Sequence, residues 1–338
     1  MELDFRQLRV IKAVADRGTL TAAARELGMT QPSVSESLGR AERTVGGALF
    51  HRGVHGAQPT ALGETVVAHA GTVLDALDRM TAAAARHRSG TLPALVRVGC
   101  TPGMLVAHLS VAVPQVTGSD VEVSTGADAA RQLELLADLR VEAALLTHFP
   151  GPEETAAGVA GRAPEGSRIE RAVVAVEPLF VAVAAAHRLA RRQEVDLAEL
   201  AGEPWCLPPG PPSELGGHLA RACRAAGHEP VRRTADHTAA LQLAELGRAV
   251  LPVLPGIRPR DGLVFLPLRG APLRTTTTLY WHRDGPLSTG RLRELWAQLV
   301  CAQHEIVERP PAYRAWLDRH PDWRTTPPDM AATYRPYR

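Results

Sequence analysis

A short polar segment, residues 30–40, carries side chains of the kinds that contact DNA bases and phosphates. A glutamine can bridge the edge of adenine, a serine can bond to a base or a phosphate, and a glutamate can accept from N4 of cytosine. The candidate DNA-contacting residues in this segment are Thr30, Gln31, Ser33, Ser35, Glu36 and Arg40. Each of them is also compatible with an ordinary solvated surface, so the prediction depends on the element that carries them.

The residues around this segment have the spacing of a helix-turn-helix. Ala24 is small where two helices approach closely, Gly28 suits a left-handed turn, and Val34 is apolar where the second helix packs back on the first. The intervals of four and six residues fit two short helices around a tight turn. Such a unit lays its second helix in the major groove of DNA. A helical hairpin without a DNA-binding role has a similar pattern and is the alternative.

Two elements follow the predicted second helix. The glycine-rich segment 47–60 is predicted to form a small wing, whose Arg52 and His55 would meet phosphate or the minor groove. Residues 60–88 repeat apolar residues at helical spacing. A helix of this length needs a partner for its apolar stripe, so we interpret it as a linker and dimerisation helix. Packing of the stripe on its own domain is the alternative.

After residue 93 the apolar pattern changes, and strand-like runs alternate with helical ones. The strands begin with LVRVGC at 95–100 and end with TTTTLYWH, and a last helix lies near 288–305. This alternation predicts an α/β fold with largely parallel strands, and it is long enough for two lobes. Residues 306–338 are rich in proline and aromatic residues. We expect a loosely ordered extension whose aromatic residues can dock on the protein, with a helical turn or two in YRAWLDRH.

The composition of the 338-residue chain excludes several classes of protein. A hydrophobic content of 45% excludes global disorder, while a net charge of +2 neither requires nor excludes a nucleic-acid partner. No secretory signal and no apolar stretch long enough for a membrane span are visible, so we expect a cytoplasmic protein without a membrane partner. The motifs GxSxG and HExxH and a phosphate loop are absent, and the cysteines lack metal-ligand spacing. We therefore predict no enzymatic activity, catalytic residue, metal site or cofactor.

The N-terminal pattern resembles that of LysR-type transcriptional regulators. The resembling parts are FRQLRVIKAVADRGTLTAAA, TQPSVS, LFHR and PTALGE, and further along the chain LADLRVEAALLTH, AAAHRLARRQEVDLAELAGEPWCLPPG and AELGRAVLPVLP. The resemblance covers about residues 3–305. It implies an N-terminal all-α winged helix-turn-helix at 1–60, a linker helix at 61–90, a C-terminal α/β two-lobed, periplasmic-binding-protein-like effector domain at 91–305, and the extension at 306–338.

The resemblance also implies a small-molecule site between the two lobes. Loops that follow the strands of α/β sheets carry such sites. The candidate effector-binding residues are Thr101, Pro102, Thr125, Gly126, Thr147, Pro208, Ser213 and Thr238. Helix capping is the alternative role for these positions. Some members of the family sense peroxide through paired cysteines; Cys206 and Cys223 are the only candidates here, and neither has the basic neighbourhood of a reactive thiolate.

These features together imply a transcriptional regulator that binds an inverted-repeat promoter site and responds to an unidentified small-molecule effector. A two-fold operator requires a paired protein, so we expect a homodimer or homotetramer. The expected partners are double-stranded DNA, the effector, further copies of the chain and, as an additional candidate, RNA polymerase. The alternative hypothesis is a two-lobed binding module or enzyme whose helical N-terminus serves only for dimerisation.

Overall fold

The computed structural model describes residues 2–53, 56–89, 92–149, 168–209 and 214–324. Contacts within the chain separate it into two compact units, Met1–Thr91 and Leu92–Arg338. None of the helices within the described ranges is both long enough and apolar enough to cross a lipid bilayer.

The first unit, as far as it is described, consists of helices and one β-hairpin. Its elements are α1 (Phe5–Arg17), α2 (Leu20–Glu26), α3 (Gln31–Val45), β1 (Phe50–Gly53), β2 (Gly56–Pro59) and α4 (Ala61–Ser89). Asp4, Thr19 and Thr30 precede the first three helices, and each side chain accepts a hydrogen bond from a backbone N–H of the first turn. Such caps stabilise a helix by ~1 kcal/mol each, so the helix starts are encoded locally.

The apolar faces of α1, α2 and α3 enclose a common core beneath the hairpin. Val14, Val34 and Leu38 are fully buried in it. Gly63, near the start of α4, lies so close to this core that a Cβ atom would stand 1.9 Å from the carbonyl oxygen of Leu49. Only glycine permits that approach, which fixes the beginning of α4 on the first unit.

The long helix α4 packs on the first unit through its early turns only. Val66 and Val67 contact the core, and Ala70 is buried. Further along, Val73 and Met80 have 43% and 62% of their surface exposed. The alternative interpretation thus holds for the beginning of the stripe, which packs on its own unit. The continuation is exposed in a single chain, and its role in dimerisation stays a prediction.

The second unit contains the remaining elements. The first group is β3 (Leu95–Cys100), α5 (Val106–Thr117), β4 (Asp120–Thr125), α6 (Ala129–Ala137), β5 (Ala143–His148) and β6 (Ile169–Pro178). The second group is β7 (Phe180–Ala184), β8 (Pro204–Leu207), α7 (Glu214–Ala225), β9 (Val231–Thr234), α8 (His237–Glu245), β10 (Leu251–Val253) and β11 (Leu263–Leu266). The last described elements are β12 (Arg274–His282), α9 (Thr289–Glu308) and α10 (Pro311–Arg319).

The second unit has the two lobes that the alternating pattern predicts. The first lobe is a five-stranded sheet in the order β4-β3-β5-β12-β6, covered by α5 and α9 on one face and by α6 on the other. The second lobe contains the three-stranded sheet β10-β7-β11 and the pair β8-β9. The chain passes between the lobes from β6 to β7 and from β11 to β12. Where these crossings meet, the N–H of Leu179 donates to the carbonyl of Leu273 at 2.8 Å.

The prediction of largely parallel strands is wrong, because the sheets are mixed. β3 runs parallel to β4 and β5, and β8 runs parallel to β9. β12 runs antiparallel to β5 and β6, and β7 runs antiparallel to β10 and β11. Strand direction depends on the edge at which the chain re-enters a sheet. An alternation of helical and strand-like runs does not contain that information.

The expectation of a loosely ordered C-terminal extension is wrong for residues 309–324. Tyr313 and Trp316 of α10 are almost fully buried, with 2% and 1% of their surface exposed. Both rings pack edge-to-face on Phe180 of the second lobe, with centroid separations of 5.7 and 5.8 Å. The aromatic residues thus occupy one face of a short helix that covers an apolar surface, while the prolines mark where that helix begins. Residues 325–338 lie outside the described residues.

Candidate functional site

The turn between α2 and α3 has the geometry that the sequence predicts. Gly28 adopts a left-handed backbone conformation with φ of +61°, and the N–H of Met29 donates to the carbonyl of Ala24 at 2.9 Å. Ala24 and Val34 are buried at the contact between the two helices. The unit is therefore a helix-turn-helix with a core of its own, completed by the hairpin.

One face of α3 packs on this core and the other is open. Gln31, Glu36 and Arg40 are exposed, and Ser33 and Ser35 are half-buried beside them. The structure thus brings the predicted DNA-contacting side chains of α3 together on one accessible surface. A helix that offers several polar side chains over its first turns fits the major groove.

Several of the predicted contact residues also interact with one another within the protein. Thr30 caps α3, because its Oγ1 accepts from the N–H of Ser33 at 3.3 Å and lies 2.8 Å from the hydroxyl oxygen of that serine. Glu36 lies 3.4 Å from the guanidinium of Arg40, and both side chains are largely exposed. An exposed pair of this kind contributes only ~0–1 kcal/mol, so either charge can be redirected toward DNA.

The predicted wing is the hairpin of β1 and β2. His51 lies exposed on β1, whereas His55 and the side chain of Arg52 lie outside what the structure describes. Glu42 of α3 accepts from the N–H of Leu49 at 2.9 Å, and this bond holds the entry to the hairpin against α3. The sequence analysis did not identify Glu42, because a charged residue on a helix gives no sign of a partner in the following loop.

A recess of about 310 Å³ lies in the second unit at the carboxyl ends of β3 and β5. Thr101 and Thr147, both predicted as effector-binding, line it together. The N–H of Thr147 donates to Thr101 Oγ1 at 2.7 Å, and the Thr147 hydroxyl lies 3.4 Å from that of Thr277 on β12. The hydroxyl groups of Thr101, Thr147 and Thr277 therefore meet at this recess and offer polar atoms to a small molecule.

Two further residues of this recess, Glu177 and Gln303, were not predicted. They have 4% and 2% of their surface exposed, and neither Glu177 Oε1 nor Gln303 Nε2 makes a hydrogen bond of ordinary geometry. Burial raises the pKa of the Glu177 carboxyl to about 7, and the nearby Gln303 amide opposes that rise. A buried carboxyl at the end of a strand and a glutamine within a long helix share no sequence spacing that could have linked them.

The other predicted effector residues do not line this recess. Pro102 is exposed, Thr125 lies beside Cys100 with a hydroxyl-to-sulfur distance of 3.6 Å, and the N–H of Gly126 donates to the carbonyl of Cys100. Pro208 and Thr238 are exposed in the second lobe. Ser213 lies outside the described residues.

The cysteines lack the environment of reactive thiols. All four are buried and reduced, and burial raises the pKa of each thiol, to about 11 for Cys223. Cys206 and Cys223 pack in different apolar clusters of the second lobe. Within the described residues, no group of three or more histidine, cysteine, aspartate or glutamate side chains is placed to hold a metal ion.

Comparison with protein families matches both units. A model described as a bacterial regulatory helix-turn-helix protein of the lysR family matches residues 5–64. A model described as a LysR substrate binding domain matches residues 89–303.

Individual proteins resemble the chain over nearly its full length. The small neutral protease regulatory protein of Streptomyces coelicolor is 33% identical over 327 residues, which are 94% of this chain and 98% of the relative. The protein of that name from Streptomyces lividans is 31% identical over 318 residues, which are 94% of this chain and 88% of the relative.

Solved structures share the fold. Full-length CbnR in complex with its target DNA has a TM-score of 0.59 at 23% identity, over 88% of this chain and 99% of that chain. A variant of full-length OxyR from Pseudomonas aeruginosa has a TM-score of 0.55 at 16% identity, over 89% of this chain and 95% of that chain. At such identities the likeness shows the fold alone.

Proposed function

Because the chain belongs to the LysR family of bacterial regulatory helix-turn-helix proteins, we propose that it is a DNA-binding transcriptional regulator whose output depends on a small-molecule effector. In this proposal α3 reads the half-sites of an inverted-repeat promoter element. The effector occupies the recess beside Thr101 and Thr147 in the second unit.

The observation that carries the proposal is the division of α3 into a packed face and an open polar face. Val34, Leu38 and Ala41 hold the helix on its core, while Gln31 and Arg40 project from it. If α3 served only to connect neighbouring helices, its first turns would not need to present an exposed polar surface. The solved CbnR complex shows that a protein of this fold binds its target DNA.

The uncovered part of α4 supports assembly of copies of the chain. Its exposed apolar side chains, among them Val73 and Met80, favour burial against another apolar surface, and the α4 helix of a second copy provides such a surface. A two-fold pair of α3 helices then faces two related half-sites. The choice between homodimer and homotetramer, and contact with RNA polymerase, stay predictions.

Effector and operator are linked through the equilibrium between the states of the protein. If the effector changes the affinity for DNA by some factor, DNA must change the affinity for the effector by the same factor. We infer that the protein acts in the cytoplasm, where its operator lies. The curated relatives are regulators, and the proposal gives this chain no catalytic role.

A binding experiment on the region upstream of the chain's own gene tests the proposal. We expect fluorescence anisotropy to show salt-sensitive binding that prefers this region over unrelated DNA of the same length. Ser35→Arg should abolish the preference, because a long side chain in the middle of the open face of α3 obstructs its approach to the base edges.

The matched control is Thr65→Arg, which adds the same charge at an exposed position of α4. It should keep the preference, and sedimentation should show that both variants assemble as the unaltered chain does. Absence of any sequence preference in the unaltered protein would contradict the proposal and favour a binding module with a merely dimerising N-terminus. Loss of assembly in the Ser35→Arg variant would give α3 a structural role instead.

A further inference from the structure

The recess beside Thr101 has two chemically different ends, and the inference drawn from them rests on the proposed function of this recess as the effector site. One end is formed by Glu177 and Gln303, which come from β6 and α9. The other end is formed by the hydroxyls of Thr101 and Thr147 and by the residues that lead into α5.

The first end is only partly satisfied by the protein, because the amide of Gln303 lies near the Glu177 carboxyl without making a well-aligned hydrogen bond to it. Glu177 Oε1 and Gln303 Nε2 are both shielded from solvent, and neither makes a hydrogen bond of ordinary geometry. A buried polar atom left without a partner costs about 1–3 kcal/mol, and more when the group is charged. A carboxylate in this position is best satisfied by a positively charged group with N–H donors.

The second end offers donors. The backbone N–H groups of Gly103, Met104 and Leu105 make no hydrogen bond with any described residue, and Leu105, which directly precedes α5, provides no side-chain cap for it. Thr101 Oγ1 already accepts from the N–H of Thr147, so its hydroxyl hydrogen is free to be donated. Unpaired N–H groups at the start of a helix favour an anion.

We propose that the recess binds a small zwitterionic amino acid, with its ammonium group against Glu177 and its carboxylate against the Thr101 hydroxyl and the N–H groups that begin α5. A plain carboxylic acid would leave Glu177 unpaired and add a second negative charge to a closed space. A plain amine would satisfy Glu177 and leave the donors at α5 empty. Only a ligand that carries both charges satisfies both ends.

The ionisation of Glu177 adds a pH dependence to this binding. The carboxyl must lose its proton to pair with an ammonium group, and burial raises its pKa to about 7. On its other side Glu177 borders a second recess of about 270 Å³, whose titratable and charged groups are His304, Glu308, Tyr313 and Arg324. Affinity for the amino acid should therefore fall below pH 7, by up to about tenfold per pH unit.

The experiment screens the proteinogenic L-amino acids against the full chain by thermal unfolding and measures the affinity of the strongest binder by calorimetry. That amino acid is then compared with two analogues of the same carbon skeleton, one without the amino group and one without the carboxylate; for valine these are isovalerate and isobutylamine. We expect each analogue to bind at least about tenfold more weakly, because each loses a charge-assisted hydrogen bond.

Glu177→Gln, which keeps the shape of the side chain, should weaken binding at least about tenfold and remove its pH dependence. Thr101→Val should also weaken it. The matched control is Glu122→Gln, an exposed position on β4, which should bind as the unaltered chain does. Thermal unfolding of each variant without ligand shows whether it is folded.

The proposal is overturned if no amino acid of the set binds, if the analogue without an amino group binds as tightly, or if folded Glu177→Gln retains full affinity. Operator binding measured on the same preparation separates this inference from the proposed function. Sequence-preferring DNA binding without an amino-acid response contradicts the ligand class alone, whereas absence of sequence-preferring DNA binding contradicts the regulator.

Discussion

Glu177 shows how a single residue can link the stability of the second unit to pH. The carboxyl is buried between two recesses, and burial raises its pKa from 4.5 to about 7. In the unfolded chain the same group is solvated and loses its proton at lower pH. The folded state therefore holds a proton that the unfolded state releases, and between these two pKa values stability must fall as pH rises.

We predict that raising the pH from about 4.5 to above 7 removes about 3 kcal/mol from the unfolding free energy of the unaltered protein through this group. Glu177→Gln should not show this contribution and should be the more stable protein above pH 7. Denaturant unfolding of both proteins across this range measures the difference.

The exposed Glu122→Gln variant serves as control, because it makes the same substitution outside both recesses. Parallel stability curves for the unaltered protein and the Glu177→Gln variant would show that this carboxyl ionises in the folded state as it does in water. The account of an unpaired acid in the recess would then fail.

At the scale of elements, α10 is a third connection between the two lobes. It follows α9, which packs on the first lobe through Leu295 and Leu299, and it places Tyr313 and Trp316 on the second lobe. The guanidinium of Arg324 lies 2.9 Å from the carboxylate of Glu308 on α9 and 2.5 Å from that of Asp318 on α10. These two ion pairs hold the residues that follow α10 against both helices. Relative movement of the lobes must therefore displace α10 or carry it along.

We predict that Trp316→Ala lowers the unfolding free energy of the second unit by ~3–5 kcal/mol, since it removes a fully buried aromatic side chain from the contact between α10 and the second lobe. Chemical denaturation followed by circular dichroism measures the loss. Arg314→Ala, an exposed position on the same helix, should stay within ~0.5 kcal/mol of the unaltered chain. Equal effects of the two substitutions would show that the helix is not held by its apolar face.

Elements whose signals are local could be predicted from the sequence. The caps Thr19 and Thr30 and the turn at Gly28 lie next to the helices that they limit, and α3 ends at Val45, directly before the left-handed Gly46. The direction of β12 and the surface on which α10 docks could not be predicted, because both depend on residues far away in the chain. The same reason limits what could be predicted of the recess. Thr101 and Thr147 stand at the ends of strand-like runs in the sequence, whereas Glu177 and Gln303 meet only through the tertiary fold.

At the scale of the whole molecule, the proposed regulation requires that two α3 helices bind at once. A single helix-turn-helix makes few contacts, and the exposed face of α3 carries the opposed charges of Glu36 and Arg40. Binding to two half-sites by a paired protein multiplies the affinity without new contacts, because the second event is intramolecular. The uncovered apolar part of α4 is the surface in the first unit that is suited to make such a pair.

The measurement that tests this account most directly is a hydroxyl-radical footprint of the full chain on the region upstream of its own gene. The account predicts two protected patches with related sequences on one face of the duplex, their centres one helical turn of about 34–36 Å or a multiple of it apart, and no protection by the Ser35→Arg variant. Uniform protection without a repeat, or a footprint that Ser35→Arg leaves unchanged, would contradict it.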